Sequence, residues 1–265
     1  MMLASALRRR RVLLLALTLA ARPLAVRAQE LAWALERSRL TAVVGNIYYG
    51  TPTAAFPAVV GLKVINRDST VICSGTLIAP TAVLTAGHCL AFDPVAATAV
   101  VFPDGLTGVS YTAAAFVRHP RFSLARAAVA DIAIVILASP VADVAPMPLV
   151  ARSPRPGATG TIVGFGEDGR GRVGLKEFGT VRLRRCPRVV RVQNGKVRLV
   201  KSLCWHPGDL VNDTCSGDSG GPLIVNGRVA GVTSGGIGTG DCPSWLSFDT
   251  NVARYRTWIA RVLRQ

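Results

Sequence analysis

From Ala58 onward the chain is divided into short apolar runs of four to eight residues, separated by Gly, Pro, Asp and Asn. Runs that short, rich in Val, Ile and Thr, are strands rather than helices. The expected strands are Ala58–Ile65, Val71–Leu77, Ala82–Thr85, Ala97–Phe102, Tyr111–Val117 and Asp131–Leu137, then Gly160–Phe165, Gly179–Leu183, Val197–Leu203, Pro222–Val225 and Arg228–Thr233. Many short strands at this spacing argue for barrels or a sandwich. Arg152-Ser153-Pro154-Arg155-Pro156-Gly157 reads as a linker that splits them into two sets of similar size. Beyond it the period changes near the C-terminus. Val252, Tyr255, Ile259, Val262 and Leu263 fall at helical spacing, with Asp249, Thr250 or Asn251 as the N-cap, so a terminal helix is expected to pack on the second half.

Composition excludes the non-globular classes. Of 265 residues, 50% are hydrophobic and 17% charged, which rules out disorder as the main state. The 26 Gly and 16 Pro have no three-residue period, and no heptad is sustained.

The N-terminus reads as a secretory signal. Arg8 to Arg11 precede an apolar run from Val12 to Ala21, and Val26-Arg27-Ala28 ends the segment with a cleavage site after Ala28. The run is about half the ~20 residues of a spanning helix, and no other stretch is longer. The expectation is a secreted or periplasmic protein without a membrane span. The net charge of +16 includes six arginines of residues 1–28; the remaining 25 basic and 15 acidic residues give +10.

Six cysteines in an exported chain suggest three disulfides: Cys73, Cys89, Cys186, Cys204, Cys215 and Cys242. Counting alone leaves 15 pairings open. No Cys-x-x-Cys occurs and His88, His119 and His206 are scattered, so no metal or other cofactor is expected.

Three segments carry chemistry. Cys215-Ser216-Gly217-Asp218-Ser219-Gly220-Gly221-Pro222 places a serine on a glycine-flanked turn, where backbone N–H groups can converge beside its hydroxyl. Leu84-Thr85-Ala86-Gly87-His88-Cys89 sets a histidine at a strand end, and Asp131 opens the run Ile132–Leu137. Together, in the order His, Asp, Ser, they resemble the chymotrypsin/trypsin family of serine endopeptidases, bacterial-type secreted members included, over residues 47–265.

The resemblance implies two six-stranded antiparallel β-barrels and a C-terminal α-helix, an all-β fold. It implies a signal peptide (1–28), a pro-segment (29–46), an N-barrel (about 47–151), a C-barrel (about 158–250) and a helix (251–265). In the family's triad His88 is the base, Asp131 orients it and Ser219 attacks, while the N–H groups of Gly217 and Ser219 form the oxyanion hole. It also implies the pairings Cys73–Cys89, Cys186–Cys204 and Cys215–Cys242. Asp213, six residues before the nucleophile, would lie at the base of the primary pocket and select Arg or Lys. Ser234 would bond Asp131, and Gly236 would leave room in the pocket wall. Ser247, Phe248 and Asp249 all remain candidates for the far wall. Cleavage before Ile47 would free an amino group to pair with the buried Asp218; Val43 is an alternative start. Asn212-Asp213-Thr214 is formally a glycosylation sequon, set at the pocket floor.

Between Arg182 and Lys201 lie eight basic residues and no acid. That stretch is a solvated face or a site for an anionic surface or polyanion. Protein or peptide substrates and a monomeric state are expected. The rival expectation is a catalytically silent, cationic binding protein on the same fold.

Overall fold

The computed structural model describes residues 45–265, apart from 93, 95, 102–107, 125–128, 168–173, 193–194 and 239–241. The signal, most of the pro-segment and Val43 lie outside the described residues.

Two short strands, β1 (Gly45–Tyr48) and β2 (Thr51–Pro52), precede the first barrel. That barrel comprises β3 (Val59–Ile65), β4 (Thr70–Ala79), β5 (Ala82–Thr85), β6 (Ala96–Val101), β7 (Val109–Arg118) and β8 (Ala133–Leu137). It closes in the order β3-β4-β5-β8-β7-β6, because β3 pairs antiparallel with both β4 and β6. Closure leaves no open edge to aggregate.

The second half runs through β9 (Thr159–Gly164), β10 (Glu177–Arg184), the hairpin β11 (Val189–Val192) and β12 (Gly195–Arg198), and β13 (Ser202–Trp205). It continues with β14 (Asp213–Cys215), β15 (Pro222–Val225), β16 (Arg228–Ile237) and β17 (Leu246–Asn251). Six of these form the sequence β13-β17-β16-β15-β9-β10, and a β10–β13 pairing closes it; β2 adds onto β10. Burial along β10 alternates as a strand with one buried face must, with Gly179, Val181 and Leu183 inside and Arg182 and Arg184 outside.

Several elements differ from expectation. The strand foreseen over Val197–Leu203 is two strands, β12 and β13, broken where Lys201 takes φ +59°. Strand β17 was not foreseen. It takes up Asp249, Thr250 and Asn251, the expected helix caps, and all six of its residues are buried. Its polar residues face an interior, so no apolar–polar alternation announces it. The helix α1 (Arg256–Val262) starts later than foreseen, after a 3-10 turn at Val252–Arg254, and Tyr255 precedes it without a side-chain cap.

Helix α1 also packs differently. Tyr255, Ile259 and Val262 join the core that holds Leu62, Leu84 and Ile134 of the first barrel. His119, at the end of β7, meets the rings of Tyr255 and Trp258 edge-on, at centroid distances of 5.2 and 5.1 Å. The chain leaves β17 beside the first barrel, whose apolar flank offers the helix its cover. Among the described residues no helix is long and apolar enough to cross a membrane.

Candidate active site

Asp131 stands just before β8, fully buried, between the two barrels. Its Oδ1 accepts the His88 backbone N–H at 2.8 Å, and its Oδ2 lies 2.7 Å from His88 Nδ1. The Ser234 hydroxyl, on β16, donates to the same Oδ2 at 2.7 Å. Thr250 Oγ1, on β17, donates to the Asp131 carbonyl at 2.7 Å. The first barrel thus supplies the acid and the imidazole, and the second barrel clamps the acid from two strands. An imidazole bonded this way has its tautomer fixed: Nδ1 carries the proton and Nε2 is left as the base.

Ser219 is held from both sides. Its carbonyl accepts the Ser74 N–H of β4 at 2.8 Å, and Gly220 N–H donates to Thr233 of β16 at 2.9 Å. The turn needs glycine: Gly217 has φ +100° and Gly220 φ +84°. A Cβ on Gly220 would fall 2.1 Å from Thr85 Oγ1 and 2.9 Å from Ala86 N, so only glycine lets the serine turn lie against the end of β5, three residues before His88.

Disulfides fix the same loops. Cys73–Cys89 ties β4 to the His88 turn, Cys215–Cys242 ties the Ser219 turn to the segment before β17, and Cys186–Cys204 closes the loop that carries the β11–β12 hairpin. His88, Cys73 and Cys89 bring ligating atoms within 4.8 Å of one another, but the two sulfurs are bonded to each other and offer a metal no thiolates.

Asp213 and Asp218 are both buried. Asp218 accepts from Gly166 N–H at 3.0 Å and Cys215 N–H at 2.9 Å; burial nevertheless pushes its pKa up to about 7. Burial raises Asp213 as well, against four hydrogen bonds that favour its charged form. Those bonds come from Thr214, from Ser244 twice, and from Ser247. Of the three candidates for the far wall, Ser247 touches Asp213 directly. Phe248 lies across from Gly235, and Asp249 is buried with both oxygens unpartnered. At Gly236 a Cβ would sit 2.5 Å from Ser244 Oγ, so the bare glycine leaves room for the Ser244 side chain that bonds Asp213. Ile47 is 1% exposed on β1, which pairs with β14 in a register that sets Gly45 opposite Cys215 and Tyr48 opposite Asp213.

Four supporting residues escaped the sequence reading. Ser74 bridges Gly217 O and Phe165 N–H through its hydroxyl, at 2.8 and 3.0 Å. The Asn212 side chain clamps β1 to β10, accepting from Thr180 N–H at 2.9 Å and donating to Tyr49 O at 2.7 Å. Thr250 and Ser244 are the others. Adjacency to Cys73 and to Asp213 was the only signal for Ser74 and Asn212. His206 is exposed, with Nδ1 2.7 Å from Trp245 O, and has no part in the site.

Two closed barrels with a His–Asp pair and a glycine-bound serine at their junction define the chymotrypsin-like class of fold. Comparison with known proteins agrees. The family model for trypsin matches residues 48–259. Trypsin epsilon of Drosophila erecta is 30% identical over 237 residues, covering 84% of this chain and 88% of that protein. A trypsin of Saccharopolyspora erythraea is 30% identical over 187 residues, covering 67% and 81%. Among solved structures, HL collagenase superposes with a TM-score of 0.67 at 21% identity, covering 83% of this chain and 98% of its own. Neuropsin, a serine protease of mouse brain, gives 0.66 at 24%, covering 82% and 100%. The chain belongs to the trypsin family and is a serine endopeptidase, a hydrolase whose substrates are proteins.

Proposed function

We propose that His88, Asp131 and Ser219 form the catalytic triad. The observation that carries this reading is the Asp131 carboxylate, buried and bonded by His88 twice and by Ser234. Ser219 attacks the scissile carbonyl as His88 Nε2 takes its proton. The N–H groups of Gly217 and Ser219 stabilise the oxyanion, and His88 returns the proton to the leaving amine. The resulting acyl-enzyme is hydrolysed by the same steps with water as nucleophile. Asp131 stabilises the imidazolium.

Asp213 supports cleavage after Arg or Lys, since a buried carboxylate pairs with a cation and is left uncompensated by an apolar side chain. The chain is exported after removal of residues 1–28, and cleavage before Ile47 activates it. The register of β1 against β14 supports this start, because it sets Ile47 beside the strand whose Cys215 N–H holds Asp218. A new amino group there would give Asp218 the cation it lacks and order the Gly217 turn. The mature enzyme acts as a monomer.

Paired chromogenic peptides test the reading: Arg or Lys against Phe and Ala at the cleavage position, with Ser219→Ala as control. Cleavage after the cationic residues, reduced by about 10⁴-fold or more in the control, is expected. Hydrolysis after Phe or Ala alone refutes the pocket. No hydrolysis by a protein with a verified Ile47 terminus refutes the triad and favours the silent cationic binding protein.

A further inference from the structure

The Asp213 carboxylate has no acceptor position left. An ionised carboxyl group offers about four lone-pair sites. On Oδ1 they are taken by Thr214 N–H, at 2.8 Å, and the Ser247 hydroxyl. On Oδ2 they are taken by Ser244 N–H and the Ser244 hydroxyl, both at 2.7 Å. The two hydroxyl oxygens also lie 2.6 Å apart over the acid; with both of their protons given to the carboxylate they face each other as a pair of acceptors with no proton between them.

Arginine and lysine make different demands on such a floor. A guanidinium binds a carboxylate as a fork, through two parallel N–H···O bonds, and so requires one vacant site on each oxygen. An ammonium is a compact charge with three rotatable donors. It can bond hydroxyl oxygens that have already given their protons to the acid, because each keeps acceptor capacity. Ser244 Oγ and Ser247 Oγ, 2.6 Å apart, can together accept from one ammonium. Asp249 does not restore the fork. It lies two residues beyond Ser247 on the same face of β17, and a Cβ on Gly231 would fall 2.4 Å from its Oδ2. Burial, and then the charge of Asp213, hold its carboxyl well above the usual carboxylate range, which disfavours the charge a fork requires.

We propose that Ser244 and Ser247 make this a lysine pocket: a substrate ammonium bonds both hydroxyl oxygens from the side away from Asp213, and arginine is disfavoured because its fork finds no open carboxylate site. The inference rests on Asp213 being the base of the primary pocket. It makes Ser247 a specificity-determining residue.

The test uses active enzyme titrated with a phosphonate that labels the nucleophilic serine, and peptides that differ only in Lys, Arg or Phe at the cleavage position. The expected kcat/KM favours Lys over Arg by about tenfold, the worth of one charge-assisted hydrogen bond. Ser247→Ala opens a site on Oδ1 and should move the ratio toward one, through the KM for Arg rather than kcat. Ser247→Thr, which keeps the hydroxyl, should leave the ratio near that of the native enzyme. If Ser247→Ala fails to fold, native enzyme alone decides through competitive inhibition, with butylammonium expected to bind more tightly than butylguanidinium. Arg equal to or better than Lys, a ratio unmoved by Ser247→Ala, or tighter guanidinium binding overturns the lysine pocket and leaves the broader Arg/Lys reading standing. Cleavage after Phe with neither cation accepted overturns both.

Discussion

The two barrels have the same strand number and unlike interiors. The first buries Val60, Leu62, Val64, Leu77, Leu84 and Ile134, and among its described residues the one buried charged side chain is Asp131. The second half buries Lys176, Glu177, Asp213, Asp218 and Asp249, with Ser219, Ser234, Ser244 and Ser247 around them. An apolar barrel gains free energy from each side chain it removes from water. A barrel holding carboxyls gains less, because burial penalises their charged forms. The two halves therefore divide the work: the first barrel is an apolar frame that presents one acid–imidazole pair, and the second gives up part of that gain to hold a glycine-bound serine turn and a cluster of buried acids and hydroxyls.

The largest difference between the halves should show at Asp218. Its folded pKa of about 7 stands above the ordinary 3.8. A raised carboxyl contributes stability that is fully present below the unfolded value and is lost as pH rises toward the folded one. The uncleaved chain, with Ser219→Ala to prevent self-processing, should therefore lose about 4 kcal/mol between pH 4 and 7. Urea unfolding across that range should show the slope, and Asp218→Asn should flatten it. Cleavage before Ile47 should flatten it too, by supplying a cation. An unchanged slope in Asp218→Asn would assign the cost elsewhere.

A smaller effect tests the frame. Leu62→Ala in β3 should cost about 3 kcal/mol in the same unfolding measurement, as deletion of a fully buried leucine does. Below its melting range the variant should keep native kcat/KM. A loss of kcat comparable to the loss of stability would show that the first barrel is not a passive frame.

The smallest effect lies on the surface of the second half. In the β11–β12 hairpin Arg191 stands directly across from Lys196, and Val189 from Arg198, while Val190 and Val197 turn toward the core near Ile237. A like-charged cross-strand pair is unfavourable by less than about 1 kcal/mol. Lys196→Glu should relieve it, leave peptide hydrolysis unchanged, and lower the salt concentration that elutes the protein from heparin. Elution independent of salt, or unchanged in the variant, would remove the polyanion from consideration.

Much of this protein was legible in one dimension. Short Val/Ile/Thr runs name strands because side-chain alternation is a local property. Gly217, Ser219 and Gly220 are legible because a serine presented on a tight turn needs glycine beside it. The Cys73–Cys89 pairing came through resemblance, since spacing left many alternatives. Helix α1 was legible as a helix, yet its partner was not: an apolar stripe states that something covers it, not what. Strand β17 was invisible because Ser247, Asp249 and Asn251 read as loop chemistry, while their neighbours across the barrel make that chemistry interior. Strand rhythm, the glycine-flanked serine turn and the supply of acids are written along the chain. Which acid is bonded by which hydroxyl is settled by folding alone. Those contacts join residues 31, 34 and 103 positions apart, such as Asp213 with Ser244 and Ser247, and Asp131 with Ser234. Hydrogen bonds act over about 3 Å, and no local pattern reports which distant strands closure will bring that near.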